Sequence, residues 1–97
     1  MPEIQVADNW DRSRYEIVVD GELAGFSTYK TNEDVITIIH TEIDDAFEGH
    51  GLGGRLARGL LDDIRARGQH VIAKCPFVAK YIREHPEYDD LVADPAP

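Results

Sequence analysis

The chain has little of several things, and each shortage excludes a class. It has one cysteine, Cys75. No internal disulfide can form, and a reducing compartment is expected. No stretch of the sequence approaches the roughly 18 apolar residues of a membrane-crossing helix, so no membrane partner is expected. The N-terminus lacks a basic segment followed by an apolar one, and the expected location is cytoplasmic. Bases are scarce: 10 Lys and Arg stand against 19 Asp and Glu, for a net charge of −9. Nucleic-acid binders carry a basic footprint, so that partner class is not expected either. Five prolines and eight glycines are too few for low complexity. The four histidines, His40, His50, His70 and His85, have no spacing such as His-x-x-x-His, and no metal site is expected.

What remains suits one small domain over residues 1–97, with 42% apolar residues to form a core. Trp10, the only tryptophan, is expected to pack against a sheet. Ile4 and Val6 alternate like a short edge strand. Tyr15–Val19 reads as a strand, Asp20-Gly21 as a hairpin turn, and Glu22–Tyr29 as the returning strand. Lys30–Asp34 is a second polar turn, followed by a strand over Val35–Ile43. A helix is expected over Gly51–Arg67, with Leu52, Leu56, Leu60, Leu61 and Ile64 on one stripe and Gly68 as its stop. Gln69–Cys75 reads as another strand. Pro76 suits the first turn of a short helix with Phe77, Tyr81 and Ile82 inward, and His85-Pro86 ends it. Glu87–Val92 forms a short tail segment, and Ala93–Pro97 is expected to fray. The class is α+β: a mixed, mostly antiparallel sheet with one strand–helix–strand crossover.

One stretch organises the chain: Phe47-Glu48-Gly49-His50-Gly51-Leu52-Gly53-Gly54-Arg55-Leu56. Four glycines fall within six residues, between a strand and a helix. Glycine leaves no side chain between backbone N–H groups and a ligand. The first N–H groups of a helix have no internal partner, and the helix dipole is positive there. A strand, a glycine loop and a helix start together suit a phosphate or pyrophosphate; a flexible turn would show the same composition. The Walker pattern needs Gly-Lys-Ser/Thr, and Gly53-Gly54 is followed by Arg55 and Leu56. The dinucleotide pattern needs Gly or Ala where Leu56 stands.

The loop resembles the coenzyme A signature of GNAT acetyltransferases, Gln/Arg-x-x-Gly-x-Gly/Ala. Glu48 takes the Gln/Arg place, a departure, while Gly51 and Gly53 match the glycines. Downstream, Cys75-Pro76-Phe77, then Tyr81-Ile82, then His85-Pro86-Glu87-Tyr88, is similar to a branch of very small, stand-alone GNAT domains. The resemblance covers about Tyr15 to Val92. It implies a GNAT-like sheet with a glycine-loop helix and a short C-terminal helix, and two neighbouring strands that splay around an acetylated pantetheine arm. It also implies acetyl-coenzyme A as the cofactor and a primary amine, on a small molecule or a protein, as acceptor.

On that resemblance, the backbone at Ile43, with Asp44 beside it, would polarise the thioester carbonyl. The loop from Gly49 through His50, Gly51, Leu52, Gly53 and Gly54 to Arg55 would hold the pyrophosphate. Arg55 and Arg58 would add charge, or are ordinary exposed helix arginines. Tyr81 is the candidate acid for the leaving thiolate, or a packing tyrosine. Cys75, at a strand end before a helix start, is a nucleophile forming an acetyl-thioenzyme, a cofactor contact, or a packing residue. His40 and Glu42, two apart on one strand face, are candidate bases or plain surface residues. The first 48 residues hold 12 acids and three bases, and the rest seven of each. An acidic half would steer a cationic amine, or simply keep the chain soluble. A coenzyme A or acyl-coenzyme A binding module with little transferase activity shares the same loop and is the rival reading; a small structural domain with a vestigial loop is a third. The sequence does not indicate the oligomeric state.

Overall fold

β-branched residues dominate Val35–Ile43, and in the computed structural model, which describes residues 2–93, they form a strand with those bounds, β4. Before it run β1 (Ile4–Asn9), β2 (Arg14–Val19) and β3 (Glu22–Asn32); after it come α1 (Leu52–Ala66), β5 (His70–Ala73) and α2 (Pro76–Glu84). The sheet order is β1-β2-β3-β4-β5. The first four strands form an antiparallel meander, and β5 lies parallel to β4 after the α1 crossover. Short 3-10 turns sit at Trp10–Arg12, Asp45–Phe47 and Pro86–Leu91.

α1 packs against all five strands. Its Leu52, Leu56, Leu60, Leu61 and Ile64 are buried, which is the stripe that the three- and four-residue spacing predicts. They meet Tyr15, Ile17, Ile36, Ile38 and Val71 of the sheet, and Val78 and Ile82 of α2 join the same cluster. Gly68 ends the helix at φ 69°.

Four local expectations are corrected. Trp10 is 73% exposed, because it sits in the 3-10 turn joining β1 to β2, outside the sheet. The second turn is shorter than Lys30–Asp34: Lys30, Thr31 and Asn32 stay in β3 and pair with Thr37, Ile36 and Val35. The fifth strand is shorter than Gln69–Cys75, because the N–H groups of Lys74 and Cys75 both turn onto the Ile38 carbonyl, at 2.9 and 3.1 Å. Phe77 is 45% exposed, since the apolar side of α2 is set by Val78 and Ile82, one turn apart. Of the tail, Pro86–Leu91 forms the last 3-10 turn and Val92 bridges Val71; most of Ala93–Pro97 lies outside the described residues.

β4 contains the irregularity that shapes the site. Its register with β3 slips by one residue: Tyr29 faces Ile38 but Thr28 faces His40, so Ile39 is an extra, bulged residue. Side chains alternate across a strand, and one extra residue reverses the alternation. Ile36 and Ile38 point into the core before the bulge. After it, Thr41 and Ile43 take the helix side, while His40 and Glu42 take the open side.

Candidate active site

Pairing between β4 and β5 stops at Ile38 opposite Ala73. Beyond that point β4 continues to Ile43 paired only with β3, while the chain after β5 turns into α2. The two parallel strands therefore part company beside the glycine loop. The backbone along this free edge has a defined direction. The Asp44 N–H donates to the Ala24 carbonyl at 2.7 Å, next to the Gly25–Ile43 pair. In an antiparallel ladder, bonded and non-bonded pairs alternate. Gly25–Ile43 is then a non-bonded pair, and the Ile43 N–H points away from β3, toward the gap. The Asp44 N–H is already engaged, and its carboxylate accepts from the Ala46 N–H at 2.9 Å. Ile43 is the free backbone donor of the two.

Gly51 is the N-cap of α1, at φ 71°, a conformation that side chains disfavour. No side chain caps this end, and no acid lies in the first turn. The first N–H tied back is that of Arg55, to the Gly51 carbonyl at 3.3 Å. Those of Leu52, Gly53 and Gly54 precede it and have no intrahelical acceptor. They border a cleft of about 300 Å³ lined by Ile43, Phe47, Glu48, Gly49, Gly51, Leu52, Gly53, Gly54 and Phe77. A Cβ on Gly53 would stand 2.7 Å from the Phe77 ring, so only glycine allows that aromatic wall to close against the helix.

The expected site residues do not all come together. Ile43 and the loop glycines share the cleft. His50 and Arg55 line a different hollow, of about 480 Å³, with Pro2, Ile4 and Val19 on the β1 side of the loop. Arg58 is drawn toward Asp62, 3.9 Å away. His40 and Glu42 meet each other at 3.2 Å on the open face of the sheet, both well exposed. Cys75 is on the other face, 3% exposed, and its thiol donates to the Thr41 hydroxyl at 3.3 Å. Tyr81 packs beside the first turn of α1: its ring carbon would be 3.8 Å from a Cβ on Gly54, and it stacks on His85 with centroids 3.8 Å apart. Burial holds the Tyr81 phenol above its usual pKa, so it keeps its proton at neutral pH.

Comparison with known proteins now bears on this geometry. A family model described as GCN5-related N-acetyl-transferase matches residues 14–91. The chain belongs to that family. NATD1 of Gallus gallus is 26% identical over 85 residues, 86% of this chain and 77% of its own length. NATD1 of Homo sapiens is 31% identical over 52 residues, 54% of this chain and 46% of its own length. A solution structure of a GCN5-like candidate N-acetyltransferase from Staphylococcus aureus superposes with a TM-score of 0.68 at 23% identity, over 97% of this chain and 90% of that one. N-acetylglutamate synthase from Neisseria gonorrhoeae, complexed with coenzyme A and N-acetyl-glutamate, gives 0.57 at 19% identity, over 80% of this chain and 22% of that one. The fold is that of GNAT domains, with a five-stranded mixed sheet in which β4–β5 pairing ends at Ile38 and Ala73.

Several residues around the end of the β4–β5 pairing were not evident in the sequence. Ser27 is fully buried and lies 2.7 Å from the Thr41 hydroxyl. Gly25 is flush against β4: a Cβ there would be 2.5 Å from the Glu42 carbonyl oxygen. Phe77 is a cleft wall rather than a core residue. The one local hint was Ser27, a polar residue at an inward position of an otherwise apolar alternation.

Proposed function

We propose that the chain transfers an acetyl group from acetyl-coenzyme A to a primary amine, carried by a small molecule or a protein. The observation that carries this reading is the uncapped first turn of α1, opening on a cleft where β4 has lost its β5 partner. The residues of the cleft fit the cofactor: backbone donors and a positive helix end suit a pyrophosphate, and the space beside Gly49 and Gly51 is open, with nothing within 4 Å of where a Cβ would stand. Glu48 is the one poor match on its rim. Bound acetyl-coenzyme A would supply an activated thioester. The N–H groups of Leu52–Gly54 would hold its pyrophosphate, with Gly49, His50 and Arg55 flanking. The Ile43 N–H would donate to the carbonyl oxygen where negative charge develops. Tyr81, held protonated, would serve as acid, and Cys75 would contact or attack the acyl group. His40 and Glu42 form a pair on the open face that can accept an amine proton there. The surplus of acids before the loop favours a cationic acceptor.

One observation favours the binding-module reading: among the described residues no base touches the Cys75 sulfur, whose partner is a hydroxyl. Thermal unfolding with free coenzyme A and with acetyl-coenzyme A tests what both readings share. Ligand at about 100 times its dissociation constant adds about 2.7 kcal/mol, a rise of about 10–20 °C for a domain this small. An unmoved midpoint at saturation sinks both. Acetyl-transfer assays of Cys75→Ala and Tyr81→Phe then separate them. An enzyme loses rate by tenfold or more in at least one variant, whereas a binder keeps its thermal shift in both and shows no turnover.

A further inference from the structure

Phe77 stands apart from the other large apolar residues of α2. Val78 and Ile82 are buried in the core, whereas Phe77 is half exposed and lies outside that cluster. Its backbone is nonetheless held. The Lys74 and Cys75 N–H groups both donate to the Ile38 carbonyl, Pro76 occupies the first turn, and Val78 is fully buried. The ring alone is free to choose its place, and it turns toward α1. A Cβ on Gly53 would stand 2.7 Å from the tip of the ring and 3.3 Å from the two carbons beside it. Gly53 is helical and has no positive φ, so its own backbone does not call for glycine. Alanine there would strengthen the helix. The ring of Phe77 is what excludes it.

The cleft that Phe77 lines has backbone donors in two places, at Ile43 on β4 and at Leu52–Gly54 on α1. Its large apolar side chains besides Ile43 are Phe47, Leu52 and Phe77. A ligand that engages both sets of donors rests its middle against these side chains. Coenzyme A has that build: a pyrophosphate, then a pantetheine arm carrying two methyl groups, then the sulfur. Phe47 and Leu52 pack against the core, so their places are fixed by the fold. Phe77 is the wall that the core does not hold. We propose that Phe77 is a specificity-determining residue of this cleft: its ring, seated on Gly53, walls the pantetheine arm and favours nucleotides that carry the arm over those that lack it. This rests on the reading of the cleft as a coenzyme A site.

Calorimetric titrations with coenzyme A, and with adenosine diphosphate as a pyrophosphate without the arm, would compare wild type with Phe77→Ala and Gly53→Ala. Phe77→Ala should weaken coenzyme A about tenfold or more and leave adenosine diphosphate within about twofold of wild type. The ring is half exposed, so the unfolding midpoint without ligand should move by less than about 4 °C. Gly53→Ala reaches the same ring from the other side. It keeps the backbone N–H and displaces only the end of a flexible side chain. It should therefore hold or raise the midpoint without ligand, yet weaken coenzyme A selectively, as Phe77→Ala does. In the double variant the two losses should not add, because both remove one contact. Losses that add overturn the seating of the ring on Gly53. Equal weakening of both ligands in Phe77→Ala, or coenzyme A bound as tightly as by wild type, overturns the proposal and leaves the cofactor reading intact. A wild-type chain that binds neither ligand overturns the cofactor reading and the proposal with it.

Discussion

The two ends of α1 are built in opposite ways. At the N-terminal end, Gly51, Gly53 and Gly54 bring no side chain to the first turn, and no cap or acid satisfies its donors. At the C-terminal end, nearly everything polar is tied. Tyr15 donates to Asp63 at 2.7 Å, Tyr29 donates to Asp8, and Arg67 pairs with Asp8 at 3.0 Å and Asp63 at 3.1 Å. Arg65 reaches Asp90 and the Glu87 carbonyl, and Tyr88 donates to Asp62. One end anchors the helix to β1, β2 and β3, and the other is left with unsatisfied donors facing a cleft. A domain of 97 residues has a small core. Concentrating its polar ties at one end allows the opposite end to keep unsatisfied donors without loosening the helix.

The strongest way to break this division is at the tied end. Asp8 is nearly buried, with 6% of its side chain exposed, and it accepts from both Tyr29 and Arg67. Asp8→Ala leaves a phenol and a guanidinium short of an acceptor and should cost about 2–3 kcal/mol. That lowers the unfolding midpoint by about 10–20 °C. The coenzyme A-induced rise should survive in the variant, because Asp8 is far from the cleft. Loss of that rise in a folded Asp8→Ala protein would show that the two ends are coupled.

The next prediction closes the open end. A Cβ at Gly54 meets only Tyr81, at the ordinary contact distance of 3.8 Å. Gly54→Asp therefore fits, and it places an acid in the first turn of the helix. Higher helix propensity and a favourable dipole contact should together raise stability by about 1 kcal/mol without ligand. The same carboxylate would repel a pyrophosphate, so the coenzyme A-induced rise should vanish. A variant that is destabilised without ligand, or that keeps its full ligand-induced rise, contradicts the idea that this end is left unsatisfied for an anion.

The sequence was readable where the information was local. β4 was legible from one β-branched run, and α1 from five apolar residues at helical spacing followed by Gly68. The glycine loop was legible as an uncapped strand-to-helix turn, because missing side chains are visible in a sequence. The tied end was not legible: Tyr15 and Asp63 are 48 residues apart, and no spacing rule links them. Thr41 was hidden for a different reason. Its facing depends on a single bulged residue, Ile39, and counting by twos along β4 passes over the slip. Phe77 looked like a core residue because it is aromatic, yet its place against Gly53 follows from how close α2 lies to the loop.

The smallest effect sharpens the comparison by titrating the tied end itself. Burial first, and the hydrogen bond to Asp62 second, push the Tyr88 phenol up to about 12. Its unfolded value is about 10. A group whose pKa rises on folding stabilises fully below the unfolded value and loses that contribution as pH climbs through the folded one. Tyr88 should therefore help the fold at pH 8 and cease to help as pH passes from 10 to 12. At pH 8, Tyr88→Phe should cost about 1 kcal/mol, the worth of its bond to Asp62. Tyr15 and Tyr29 are also raised, by burial and by their own carboxylate partners, and both are present in wild type and variant alike. The difference in midpoint between the two proteins isolates Tyr88 and should shrink toward zero by pH 12. A gap that stays constant from pH 8 to 12 would mean that the phenol packs at this end of α1 without holding Asp62.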